Sequence, residues 1–588
     1  EMKHPDLASD SSFTPRTSRE SCMNSSFALR RALAAAIVLA AVVCMPAQAA
    51  LKIDTSGVDL KSTAFKRFRD YVDAAANGSP GYGFSATDAA TLYQLSPKEK
   101  YCTLAIRLVQ TQVDDADARI AQGQRPAVAG DSYLEAGPMI SDLGLTWEVC
   151  RTLISDAQRA QWSTYAEQTI HNIWNPKAAK WGERAFEWTG WSIDNPGNNY
   201  YYSFVEATMF WALASNNETW LKFLREKKLP ALTAYFGKLV GGGSLEGTGY
   251  GAAHMRLFAI YRVWRDSTGE DLANANSHVD DSIRFWVHAT MPTLDRFAPI
   301  GDQSRVSVPE IYDYHRRLVL EARALSKNEE VRDIASWWLH SISIPEMTSG
   351  FNLRHDLLPA GTGGQPPQSR LYEAKGTGHV FARSDWNRDA VWVGFNAGPY
   401  VESHAHQDQG GFTLFAGDWL AVTENIWTHS GIQQGTEVHN VLRFERNGTI
   451  IRQREPSTSS MKVISANPQS GEFQATADLS PAYAAGAGVK SWQRSIEFKG
   501  RTLTVHDTFA TSADTQAIFQ INVPVKPVLE GHEARAGKLH IKVLKPEDAV
   551  IGSLEFASLD KAEFRSGWRI DVRGSGQEFL VELDAGAP

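Results

Sequence analysis

Between Ser403 and Phe412 the chain reads Ser-His-Ala-His-Gln-Asp-Gln-Gly-Gly-Phe, and His439-Asn440 follows downstream. His404 and His406 stand two positions apart, so in an extended segment both side chains project from one face. Imidazole titrates near neutrality, which suits proton transfer or metal ligation. Each histidine taken singly could equally be a hydrogen-bonded structural group. Three of them together with a carboxylate, Asp408, favour chemistry.

Two further segments carry reactive side chains on loop-like sequence. Residues 188–202 place Asn198 and Asn199 just before a helical run, where an amide can donate to a carboxylate without carrying charge, or simply cap the helix. Residues 241–251 read Gly-Gly-Gly-Ser-Leu-Glu-Gly-Thr-Gly-Tyr-Gly. Glycines on both sides of Tyr250 let the backbone approach a ligand closely and leave the phenol little local packing.

These loops must be held by something larger. From about residue 58 to 345 apolar residues recur at helical spacing, for example over 101–110, 147–157, 160–173, 204–213, 252–263 and 314–325, with short Gly/Pro/Asn loops between. Helical hairpins in such number bury their apolar faces by closing into a ring. With no strict repeat in view, the expectation is an N-terminal incomplete (α/α) toroid over residues 50–345. Pro345, Pro359 and the run Gly361-Thr362-Gly363-Gly364-Gln365-Pro366-Pro367 cannot continue a helix, and 346–369 reads as a linker. Beyond it, alternating runs such as 390–395, 494–498, 502–505, 539–543 and 568–572 predict a C-terminal antiparallel β-sandwich over 370–588.

A chain of 588 residues, 43% of them hydrophobic, is large enough for two cores. A net charge of −8 argues against a general polyanion-binding surface, so nucleic acid is not an expected partner. The 18 Trp and 17 Tyr hint at aromatic platforms for sugar rings, although most Trp side chains serve cores. Met23 opens a secretory pattern: Arg30-Arg31, an apolar run over 32–43, and Ala47-Gln48-Ala49. Residues 23–49 are therefore expected to be a signal peptide, with 1–22 a non-native or mis-called extension. The apolar run is too short for a comfortable membrane span. The expected destination is the periplasm or the exterior, without membrane insertion. Only Cys102 and Cys150 follow the cleavage site; two buried thiols are the default reading and a disulfide the alternative.

The Asn-Asn loop, the Glu-Gly-x-Gly-Tyr loop and the His-x-His-x-Asp segment, in that order on an α-then-β chain, resemble the heparinase II/III-like polysaccharide lyases. That group includes heparin and heparan lyases and several alginate lyases. The resemblance runs from the toroid through Gly301-Asp302 to His439-Asn440. It implies a secreted lyase acting on a uronic-acid-containing acidic polysaccharide, alginate or a glycosaminoglycan. By position, it implies that Asn199 neutralises the uronate carboxylate, with Asn198 the fallback by one register. Tyr250 would be the general acid and could also be the base, and His404 the partner base or a second neutraliser. His406, Glu424 and His439 match a metal-ligand set, and two His with a carboxylate suit a structural Zn²⁺. Two departures stand out: many relatives have His where Tyr200 follows the asparagines, and the family usually has Asp where Glu424 stands.

Lyase chemistry suits these side chains. The C5 proton of a uronate lies α to a carboxylate, and its removal builds further negative charge that neutral or positive donors must offset. A base takes that proton while an acid protonates the leaving O4. For the base role, Tyr250 needs a depressed pKa, with His254 and Arg256 the sequence-local cations. Trp181, Trp188 and Trp191 are expected sugar platforms or helix-packing groups. Arg184, Lys180 and Arg305 are expected cleft cations or solvated surface groups. Tyr200 and Glu246 complete the expected substrate-binding set. Two other classes compete: a toroid glycoside hydrolase, which needs two flanking carboxylates such as Glu246 and Asp302, and a non-catalytic carbohydrate-binding protein.

Overall fold

The computed structural model describes residues 50–303 and 309–587. The expected signal segment, the residues before it and Arg305 lie outside these. Among the described residues twelve α-helices come first: α1 Thr63–Ala76, α2 Ala86–Leu95, α3 Glu99–Ala121, α4 Ala136–Val149, α5 Asp156–Trp174, α6 Asn199–Ser215, α7 Glu218–Phe223, α8 Leu229–Phe236, α9 His254–Thr268, α10 His278–Ala289, α11 Asp313–Leu325 and α12 Glu329–Ser341.

Helices α2, α4, α6, α9 and α11 pack successively against one another and form the inner wall of the expected toroid. Helix α6 shows why it is innermost. From Tyr201 to Ala214 every side chain but that of Glu206 is buried, and a helix apolar on all sides belongs inside a core. Local sequence sets the helix starts. Ser155 and Gln158 form a capping box on α5, and the Asn198 carboxamide oxygen accepts from the Tyr200 amide at the start of α6. Cys102 on α3 and Cys150 just after α4 form a disulfide with Cα atoms 5.5 Å apart, which overturns the default reading of two thiols.

Part of the stretch read as a linker belongs to the helical half. Residues Gly350–Leu357 form a 3₁₀ turn that packs on α1 and α11. Asn352 donates to Asp313, and Arg354 pairs with Asp88 of α2 at 2.5 Å. The Gly/Pro signal was real, but it begins only after these polar side chains have found their partners in the ring.

The C-terminal half is antiparallel throughout. Its first sheet has the order Leu371–Ala374, His379–Arg383, Val391–Asn396, Phe412–Ala416, Trp419–Ala421. An eight-stranded sheet runs from Ser460–Ala466 to Val528–Glu530, and a second five-stranded sheet centres on Thr515–Val523. The first sheet is buried on both faces, and its alternation divides it between two cores. Phe381, Trp392 and Phe415 join the helical core, whereas Val380, Val393 and Leu414 join the sandwich core. Arg383 donates to the carbonyls of His288 and Thr290, and Trp392 Nε1 to that of His288, which fixes this sheet against α10. The connection between Asn396 and Phe412 leaves and rejoins this sheet and carries His404 and His406 onto the toroid.

Candidate active site

Tyr250 opens a short 3₁₀ turn that runs directly into α9. The glycines before it serve a close backbone approach, not to a ligand but to the segment 300–302. A Cβ on Gly247, which has φ +83°, would lie 2.1 Å from the Ile300 carbonyl oxygen, and one on Gly249 would lie 2.1 Å from that of Asp302. Thr248 completes the junction, its amide donating to Ile300 O at 2.8 Å and its hydroxyl to Ala298 O. The Tyr250 loop and Asp302 are thus fixed to each other. The His404 loop joins them through the Asp302 amide, which donates to His404 O at 2.9 Å.

At this junction the Tyr250 and His404 rings stack, with centroids 3.5 Å apart and planes 10° from parallel. Asp302 is the hub. Its Oδ2 lies 2.9 Å from His404 Nδ1, its Oδ1 lies 2.8 Å from His406 Nε2, and the Gln434 amide donates to both oxygens. Burial alone would raise the Asp302 carboxyl, but the hydrogen bonds from His404, His406 and Gln434 outweigh it and hold it below the usual carboxylate range. An ionised carboxylate only accepts, so His404 presents Nδ1–H to it, and in the neutral tautomer the lone pair is on Nε2. His406 likewise donates from Nε2, and its Nδ1 lies 3.1 Å from His439 Nε2. Burial, with His406 beside it, holds His439 well below its ordinary pKa and therefore neutral.

The asparagine loop meets this group through Glu246, which is only 1% exposed. Asn198 Nδ2 donates to Glu246 Oε1 at 3.3 Å, and the Asn199 backbone N–H also points at this carboxylate. Burial and the nearby Glu402 push the Glu246 carboxyl well above its ordinary pKa. Asn198 is therefore consumed as helix cap and Glu246 partner. The Asn199 side-chain oxygen is buried with no protein partner. Glu402, reached from Asn195 and from the Tyr235 hydroxyl, closes this side.

Several expectations are corrected. Tyr250 is not surrounded by cations. Burial, then Asp302, Glu246 and Asp131, raise its pKa above the ordinary 10.0. His254 is buried and held neutral by desolvation, and the nearest carboxylate to Arg256 is Glu206 on α6, at 4.0 Å. Trp188 is a core group, its Nε1 donating to Asn172 O and its ring against Tyr133 and Phe204. Trp181 is also buried. Trp191 is 49% exposed and remains available as a platform. Arg184 and Lys180 are exposed on a two-residue hairpin, where the Arg184 guanidinium donates to Gly123 O rather than to any residue of the cluster.

Of the expected metal set, His406 and His439 lie together, Nδ1 to Nε2 at 3.1 Å. Both His406 nitrogens are engaged, and the two Glu424 oxygens are buried without a hydrogen-bond partner. A Cβ on Gly567 would lie 2.0 Å from Glu424 Oε2, and burial pushes this carboxyl up to about 9. Among the described residues no group of three or more His, Cys, Asp or Glu side chains is disposed to hold a metal ion. The donors as placed do not fit a bound Zn²⁺.

Sequence reasoning missed three members of the site. Asp302 was read only as half of a hydrolase pair, and Gln434 carries no local signal. Asp131 accepts from the Tyr200 hydroxyl at 2.9 Å. It begins three consecutive non-glycine residues with positive φ, Asp131 (40°), Ser132 (52°) and Tyr133 (64°). Strain of this kind persists where surrounding structure enforces it, often at functional sites. Burial and then Asp131 push Tyr200 up to about 12.

No protein-family model and no curated protein sequence matches the chain. Solved structures do. The heparan sulfate lyase HepC from Pedobacter heparinus superposes with a TM-score of 0.55 at 15% identity, covering 90% of this chain and 85% of that one. A heparinase III superposes at 0.54 and 12% identity, covering 85% and 76%. A chondroitin AC lyase variant of Streptomyces coelicolor A3 gives 0.51 at 10% identity, covering 90% and 80%. Helical ring, sandwich and their order along the chain agree with these structures: the chain has the toroid-and-sandwich fold of the heparinase-like polysaccharide lyases.

Proposed function

We propose that the chain is a polysaccharide lyase that cleaves a uronic-acid-containing acidic polysaccharide by β-elimination, leaving a 4,5-unsaturated uronate at the new non-reducing end. The observation that carries this reading is the stacked pair of Tyr250 and His404, with Asp302 on Nδ1 of the imidazole. It brings together a phenol that keeps its proton and an imidazole whose neutral tautomer holds its lone pair on Nε2.

In this reading His404 Nε2 takes the C5 proton. The C–H electron pair becomes the C4–C5 double bond, and the C4–O4 bond breaks. Tyr250 gives its hydroxyl proton to the departing O4. A phenol with a raised pKa is a competent donor near neutrality but not a base, so the acid role falls to Tyr250 and the base role to His404. Asn199, at the first turn of α6, supplies the carboxylate neutraliser. Its amide adds to the partial positive charge of a helix N-terminus, where anions are favoured. Trp191 serves as an exposed sugar platform, and Tyr200 binds substrate beside Tyr250. The disulfide supports maturation in an oxidising compartment, in keeping with a periplasmic or secreted enzyme.

A hydrolase would need two carboxyls free to flank a sugar. Glu246 is almost wholly buried, and both Asp302 oxygens are occupied. The deciding experiment incubates the protein with alginate, heparan, chondroitin and hyaluronan and follows ultraviolet absorbance alongside reducing ends. The lyase reading requires both signals to rise together on at least one polymer. Reducing ends without the chromophore would mean hydrolysis, and neither signal on any polymer would remove the enzyme reading.

A further inference from the structure

One cavity of the protein lies away from Tyr250. It has a volume of about 300 Å³ and lies inside the toroid, walled by α4, α6, α9, α11 and the 3₁₀ turn over 350–357. Neither Tyr250, His404 nor Asn199 lines it. The catalytic loops precede the N-termini of α6 and α9. The cavity rim instead includes the exposed Asp54 and Gly57, and Asp54 is held by Asp266 near the C-terminal end of α9. This part of the rim thus lies by the C-terminal end of α9, whereas Tyr250 precedes the N-terminal end of the same helix.

Four arginines line this cavity, and their pairing is uneven. Arg262 is bidentate on Glu321, at 2.6 and 3.1 Å, and Arg354 pairs with Asp88. Among the described residues Arg317 on α11 makes no ion pair within 4 Å and its Nε is buried without a hydrogen-bond partner, although the Glu321 and Glu206 carboxylates are near enough to favour its charge. Arg256 on α9 reaches only Glu206, at 4.0 Å. Burial lowers Arg317 to about 10, which leaves it charged at neutral pH. A buried guanidinium N–H without an acceptor is costly, and a ligand oxyanion beside it would offset that cost. On α6, Glu206 Oε1 accepts from Ser141, while its Oε2 lies 4.0 Å from Arg256 Nε and has no hydrogen-bond donor.

These two deficits call for different groups on one ligand. The guanidinium forks ask for a carboxylate or similar oxyanion, and Glu206 Oε2 asks for a hydrogen-bond donor. Sulfate or acetate supplies the first without the second, and a neutral sugar the reverse. The volume suits a ligand of monosaccharide size. We propose that the toroid cavity is a second, non-catalytic binding site for a polyhydroxy carboxylate of monosaccharide size, the uronic acids among them, held between Arg256, Arg317 and Glu206. The site is independent of the lyase reading, because it is defined by binding and not by turnover.

The test is calorimetric titration of the full chain with D-glucuronate, with glucose and sodium sulfate as the comparison ligands. Saturable binding of glucuronate is expected, with glucose and sulfate each about tenfold weaker or more, the factor that loss of a charge-assisted hydrogen bond commands. Arg317→Met should abolish it, Glu206→Gln should weaken it, and Trp191→Ala, which alters only the expected cleft platform, should leave it unchanged. A crystal soaked with glucuronate should show density between Arg256 and Arg317, which locates the site even if Arg317→Met does not fold. Absence of glucuronate binding, undiminished binding by the folded Arg317→Met chain, equal affinity for glucose, or density elsewhere would each overturn the proposal.

Discussion

Asp302 decides which nitrogen of His404 carries the proton. Its ionised carboxylate faces Nδ1 and leaves Nε2 as the other ring nitrogen, and the same residue fixes His406. Replacing it by Asn exchanges an acceptor for a group that can also donate, and the tautomer preference is lost. Asp302→Asn is expected to lower kcat by about 10²-fold, within the range ascribed to one general acid–base group, with KM little changed. An unchanged kcat would remove His404 from the mechanism. Glu424 offers an independent check on the buried carboxyls. Its pKa is raised to about 9 by burial, so the fold favours the protonated form. That contribution is full below the unfolded value near 4.5 and is lost as pH rises through about 9. Glu424→Gln does not titrate. It should melt close to the parent at pH 5 and above it at pH 8, the gap growing by roughly 1 kcal/mol per pH unit. A variant less stable than the parent at pH 8 would mean that the ionised carboxylate has a partner, a metal ion included.

Local elements were the most legible part of the chain. Apolar periodicity located the inner helices, because a helix buried on all sides, such as α6, shows its character within its own sequence. The Asn-Asn and Glu-Gly-x-Gly-Tyr loops were also legible as sites, since glycine and asparagine interrupt the periodicity there. The environment of Tyr250 was not. Its neighbours in sequence, His254 and Arg256, turn inward, one to a neutral core and one toward Glu206, while the charges that act on the phenol come from Asp302, Glu246 and Asp131. The role of the glycines was misread for a similar reason, because the partner they approach lies about 50 residues on, at 300–302. Gly249→Ala is accordingly expected to push the Tyr250 turn away from Asp302, lowering stability by about 1–3 kcal/mol and activity together. Thermal melts and kcat on the same samples would show it, and a neutral substitution would mean that this junction does not position the phenol.

Across the whole molecule, the site exists because two halves with separate cores share one sheet. Strands such as Val391–Asn396 give alternate residues to the toroid and to the sandwich, and the loop leaving that sheet delivers His404 to Tyr250. The α-then-β order was readable from the change in hydrophobic period near residue 346, but the two-faced sheet was not: a strand buried on both sides reads as one continuous apolar run. The disulfide stood in the sequence only as the alternative to two thiols, because Cys102 and Cys150 are 48 residues apart and the packing of α3 against α4 makes them neighbours. The central claim is that a phenol from the helical half and an imidazole from the sandwich half perform one elimination. The most direct measurement is the ultraviolet rate of Tyr250→Phe on whichever polymer the parent chain cleaves, with polymer binding measured alongside. The account predicts a loss of about 10²-fold or more in kcat with binding retained. A Tyr250→Phe enzyme that kept most of its rate would contradict it.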